Sequence, residues 1–87
     1  MKTKYAMSPS GKRDGWLIWC PACGIEHHFD ARWNWNGNFD KPSFMPPLKV
    51  LLDPGVCHFM VNSATIAFQP DCTHALRGKT VDLPEIV

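Results

Sequence analysis

Apolar and polar positions alternate with a period of two through much of this chain, the mark of short, half-buried strands. From Gly15 to Trp19, Trp16 and Ile18 share one face and Leu17 and Trp19 the other. Ile25 to Phe29 alternates in the same way and reads as the return strand of a hairpin. In "RWNWNGNF", Trp33 and Trp35 fall on one side of an extended segment and Asn34 and Asn36 on the other, with Asn36-Gly37 as a tight-turn signal. Met45-Pro46-Pro47 can end or kink an element, and Leu48 to Leu52 is apolar enough for a strand. Asp53-Pro54-Gly55 turns the chain into Val56–Val61, which places Cys57, Phe59 and Val61 on one face and His58 and Met60 on the other. Asn62-Ser63 then turns into Ala64–Phe68, a second hairpin.

The segment "QPDCTHALRGKTVDLP" breaks this rhythm. Asp71 suits a helix N-cap and Gly78 a C-terminal cap, so a short helix is expected over residues 72–77. Thr80 to Leu83 follows as an edge strand that Pro84 ends. The pattern predicts a mainly β, zinc-knuckle or zinc-ribbon-like domain over residues 15–87, with one short helix. Residues 1–14, with Ser8-Pro9-Ser10-Gly11, read as a flexible arm.

Size sharpens this picture. A chain of 87 residues, 45% of them apolar, can build one thin core and is short enough to want a staple. Its net charge of +1 supplies no general attraction to nucleic acid. No apolar run approaches the ~20 residues of a membrane span. The basic start, Met1-Lys2-Thr3-Lys4-Tyr5, leads into no apolar segment of the secretory kind, so a reducing, cytoplasmic setting is expected. In such a setting clustered cysteines point to metal or catalysis more than to disulfides.

All four cysteines fit the pattern C-x2-C-x33-C-x14-C, at Cys20, Cys23, Cys57 and Cys72. A C-x2-C turn offers two thiolates from one loop, and Gly24 behind it lets backbone N–H groups face the sulfurs. A structural zinc ion held by Cys20 and Cys23 therefore needs two more donors from Cys57, Cys72, His74 and His58. Cys57 and His58, adjacent on a strand, point to opposite faces and do not share one ion. Cys72 sits at a helix start, where a thiolate is favoured. The competing readings are buried free thiols and a redox dithiol. The second is weakened by the strand-like residues after Cys23, where a thioredoxin-type dithiol would open a helix.

The remaining polar groups are less specific. His28 is a further alternate ligand, although the plainer reading of His27 and His28 has one facing solvent and the other packed with a hydrogen bond. Asp71 near His74 could tune an imidazole, but no activated nucleophile accompanies the pair, and four cysteines favour a closed site without catalytic residues. Arg32, Trp33, Trp35 and Lys41 make a candidate stacking surface for a base or sugar, against the simpler reading of a half-buried strand with a polar outer face.

The runs "GWLIWCPACGIEHHF", "RWNWNGNFDKPSFMPPL", "CHFMV" and "DCTHALRGKTVDLP" resemble a small family of unknown-function proteins encoded in bacteriophages and prophages, some of which carry an ammonia-monooxygenase label. The resemblance runs from Gly15 to Pro84 in matching order. It implies a phage origin, the cytoplasm of an infected or lysogenic bacterium, and a compact metal-knuckle domain. It also implies that serine can replace the cysteine of "DCTH" while the histidine stays, which raises His74 as fourth ligand beside Cys20, Cys23 and Cys57. No activity transfers, since the chain has neither an apolar span nor the histidine–carboxylate cluster of a copper oxygenase.

The expectation is thus a zinc-stabilised binding module directed at a host protein. Its rivals are a small metal-dependent hydrolase or nuclease using His58, Asp71 and His74, and a single-stranded nucleic-acid binder using the Trp33/Trp35 segment.

Overall fold

The structure, a computed structural model, describes residues 1–86. Among them, eight strands form two antiparallel sheets: β1 (Lys4–Met7), β2 (Arg13–Cys20) and β3 (Ile25–Phe29) in one; β4 (Asn34–Trp35), β5 (Phe44–Leu52), β6 (Gly55–Asn62), β7 (Thr65–Phe68) and β8 (Thr80–Asp82) in the other. Within each sheet the strands lie side by side in chain order, as expected when short turns join antiparallel neighbours. The sheets meet through the inward side chains that the alternation predicts. Phe29 of β3 stacks on Phe44 of β5 at 4.2 Å between ring centroids, and Trp16 of β2 leans on Phe44 and Trp35. Ile18, Cys20, Cys57, Phe59, Val61, Ile66, Phe68 and Leu83 complete a core closed to solvent.

Three elements differ from expectation. Residues 1–14, expected as a flexible arm, supply β1, which pairs Lys4 with Leu17 and Tyr5 with Trp16. Thr3 just before it is fully buried and donates to the Leu17 carbonyl at 2.8 Å. The Tyr5 ring packs in T-shaped contacts with Trp35 and Phe39. These anchors are too few and too spaced for a periodicity to reveal them.

The second difference lies in β5, which begins at Phe44 and runs through the two prolines. Phe44 pairs with Val61 and Leu48 with Phe59, so β5 carries two residues more than β6 between these pairs. Pro46 and Pro47 have no N–H to give the ladder, and the irregularity falls where they sit.

The third is a correction: among the described residues there is no helix, and 70–78 is a series of turns. The N–H groups of Cys72, Arg77 and Lys79 reach back three residues, to the carbonyls of Gln69, His74 and Leu76. Asp71 does not cap a helix; its carboxylate instead lies 3.2 Å from Nδ1 of His58. What holds the segment out of a helix is its grip on β6. The Thr73 N–H and hydroxyl donate to the Val56 carbonyl, and the Val56 N–H donates to the Thr73 hydroxyl at 2.9 Å. Gly55 permits this approach: a Cβ there would stand 2.5 Å from Thr73 Oγ1, and its φ of +116° is itself a glycine conformation.

Candidate metal centre

The hairpin of β2 and β3 carries three of the donors. Its turn, Pro21 to Gly24, closes with the Gly24 N–H on the Cys20 carbonyl at 2.9 Å, and Gly24 takes the positive φ of +68° that such a turn requires. The Cys23 N–H points at the Cys20 sulfur, 3.3 Å away. The turn predicted at "CPACG" is therefore formed, with a backbone donor already facing a cysteine sulfur. Cys20 is an inward residue of β2. His27 lies inward on β3, in phase with Phe29 and opposite Ile18 in the register.

Across the gap between the sheets, β6 supplies the fourth donor. Cys57 is an inward residue in phase with Phe59, and its sulfur stands 3.9 Å from that of Cys20. The donor atoms of Cys20, Cys23, His27 and Cys57 all lie within 4.8 Å of one another, and the group could hold a metal ion. A tetrahedron with metal–sulfur bonds of about 2.3 Å has sulfur–sulfur edges of about 3.8 Å. The Cys20–Cys57 separation matches that edge and is far from a disulfide; all four cysteines are free thiols.

The chemistry of the group fits a cation. His27 is 3% exposed, stacks on Phe59 with 5.2 Å between centroids, and its buried Nε2 has no hydrogen-bond partner. A buried polar group normally has one, so this nitrogen is an exception that an ion bound to it would resolve. Without an ion, hydrogen bonding from the Cys57 thiol holds Cys20 down at about 4, as a thiolate. The same bond to Cys20 and burial push Cys57 far up. Burial, then the charge on Cys20, raises Cys23. Two of the three sulfurs around this point, Cys23 and Cys57, thus keep protons that a cation would displace.

Of the residues expected at the site, the structure gathers Cys20, Cys23 and Cys57. His74 lies at its border, with Nε2 3.5 Å from the Cys57 sulfur. The Cys72 sulfur is committed elsewhere: it accepts the His58 N–H at 3.2 Å and donates to the His58 carbonyl at 3.1 Å. His58 points to the other face of β6, where Asp71 meets its ring and Lys49 meets Asp71 at 3.7 Å. His28 is exposed and bonds the Asp14 carbonyl. His27 is the donor that the sequence alone leaves undistinguished from His28, one of the two packed and the other facing solvent. The signal for it is the alternation of β3, which puts His27 on the face of Phe29.

The candidate stacking surface is largely occupied. Trp33 and Trp35 are half-buried, and their indole N–H groups donate to the carbonyls of Pro46 and Asn38. Arg32 lies over Trp33 and forms a forked pair with Asp30. The Asn36 side chain ties together Lys41, Ser43 and Asn38 as a loop brace.

No family model, curated protein or solved structure matches the chain. Fold and site alone define its class: a small all-β domain of two antiparallel sheets with a Cys3His cluster at the end of the core that could hold a metal ion. No helix among the described residues is long and apolar enough to cross a membrane.

Proposed function

We propose that the chain is a zinc-stapled β domain whose ion, held by Cys20, Cys23, His27 and Cys57, is structural, and which presents a rigid surface to a protein partner. The observation that carries this reading is the convergence of three thiols and an imidazole within 4.8 Å from both sheets. Three sulfurs and one nitrogen in a tetrahedral arrangement suit zinc, and four protein donors leave no position for a reacting water. The ion would lock the knuckle hairpin of one sheet to β6 of the other, which a thin core needs. Free thiols this close persist in a reducing compartment, in keeping with the cytoplasm of a bacterial host.

Trp19 (39% exposed) and Ile25 (46%) are left uncovered at the knuckle end of the hairpin, and the charge is nearly balanced. An apolar hairpin end with little net charge suits a protein, here a host protein, better than a phosphate backbone. The hydrolase reading loses its open zinc, because the His58–Asp71 pair sits on the face of β6 away from Cys57.

Metal analysis of the purified chain tests the first half of the proposal: one zinc per chain is expected, and a content well below one overturns it. The second half is tested by replacing Trp19 and Ile25 together with serine. Zinc content should hold while any protein that co-purifies with the wild type from its host is lost; unchanged co-purification overturns the assignment of this surface.

A further inference from the structure

The loop 70–78 does more than close the sheet edge. It is fastened to β6 at two outward-facing backbone positions, Val56 by Thr73 and His58 by Cys72. The loop thus stands in for a strand on the β6 edge away from β5, because β7 pairs with β6 only over Phe59–Asn62. The next residue after these two anchors, His74, is thereby brought against Cys57. Its ring is fixed on a second side by an edge-on contact with Phe68, 4.6 Å between centroids.

The tautomer of this ring follows from its neighbours. The Leu76 backbone N–H donates to His74 Nδ1 at 3.2 Å. A nitrogen that accepts a hydrogen bond carries no proton, so in the neutral ring the proton sits on Nε2. Nε2 faces the Cys57 sulfur at 3.5 Å, within range of an N–H···S bond. A nitrogen that ligates a metal must instead present its lone pair, and here the lone pair is on Nδ1, already taken by Leu76.

We propose that His74 is a positioning residue of the metal site: it donates a hydrogen bond from Nε2 to the Cys57 thiolate and does not ligate the ion. This rests on the zinc reading above. The donated bond draws charge from the sulfur, which holds the thiolate in place, favours it over the thiol, and makes it a poorer nucleophile toward electrophiles. Outer-shell partners of this kind typically change metal affinity by about 10–100-fold.

The test uses the full chain loaded with cobalt(II), whose visible spectrum reports the donor set, together with imidazole nitrogen NMR of the zinc form. In the zinc form His74 should show a protonated Nε2 and a bare Nδ1. His74→Phe should keep the three-sulfur, one-nitrogen spectrum but lower cobalt affinity about tenfold and speed alkylation of Cys57 by iodoacetamide. His74→Gln, which retains an N–H donor, should recover part of both effects. A metal-bound Nε2 at His74, loss of the nitrogen donor from the spectrum of His74→Phe, or a His74→Phe variant unchanged in both affinity and alkylation overturns the proposal. A wild type that takes up no cobalt overturns the zinc reading beneath it; a wild type that loads fully with silent His74 variants overturns the role of His74 alone.

Discussion

Replacing Cys72 separates a ligand from a backbone anchor. The Cys72 sulfur bridges the N–H and C=O of His58, at 3.2 and 3.1 Å, and is 4% exposed. In Cys72→Ala the His58 carbonyl keeps a partner, because the Gln69 N–H also donates to it at 2.8 Å. The His58 N–H loses the acceptor it has in Cys72. An orphaned buried donor costs about 1–3 kcal/mol, and the lost sulfur packing adds roughly 1 kcal/mol. The sum, about 2–4 kcal/mol, corresponds in a domain of this size to a drop in Tm of roughly 10–25 °C. Cys72→Ser keeps a donor and an acceptor in place and should lose less than half as much. Both variants should bind zinc at the wild-type stoichiometry, provided the measurement is made below their melting temperatures. Differential scanning calorimetry and metal analysis on the same samples give both quantities. If either folded variant loses its zinc, Cys72 is a ligand and the reasoning fails.

Other outcomes follow from the same geometry. At neutral pH the ion must displace protons from Cys23 and Cys57, both of which the metal-free site pushes up, while Cys20 is already a thiolate. Apparent zinc affinity should therefore rise with pH, about a hundredfold per unit between pH 7 and 8 for two protons released, as read by competition with a chromophoric chelator; a flat profile contradicts this. Gly55→Ala brings a Cβ within 2.5 Å of Thr73 Oγ1 at a φ of +116°. It should cost about 2 kcal/mol or more in urea unfolding, and an unchanged midpoint contradicts the docking of the loop on β6. His27→Phe fills the slot against Phe59 but removes the nitrogen, so zinc affinity should fall by about a hundredfold or more. Retention of tight binding would move the fourth ligand elsewhere.

The half of the site carried by a local motif is legible in the sequence. Cys20 and Cys23 belong to one turn whose chemistry is complete within a few residues, and Cys57 sits on the apolar face of its strand. His27 is legible in part, since its strand phase matches Phe29; but an inward histidine reads equally as a packed one until the second sheet brings Cys57 across. Cys72 shows the opposite failure. Its helix signals are local and real, Asp71 and Gly78 included, yet the start of β6, which β7 leaves unpaired on one edge, recruits the side chains of Cys72 and Thr73. That recruitment depends on where β7 stops pairing, a tertiary event without a period in the sequence. The tryptophans split along the same line: alternation puts Trp33 and Trp35 on one side, while only the meeting of the sheets gives them Phe29, Tyr5 and Trp16 as neighbours.

X-ray absorption at the zinc edge of the purified, metal-loaded chain tests the central claim most directly. One zinc per chain is predicted, with three sulfur neighbours at about 2.3 Å and one imidazole nitrogen at about 2.0–2.1 Å. Four sulfurs, an oxygen in place of the imidazole, or no bound zinc would contradict it.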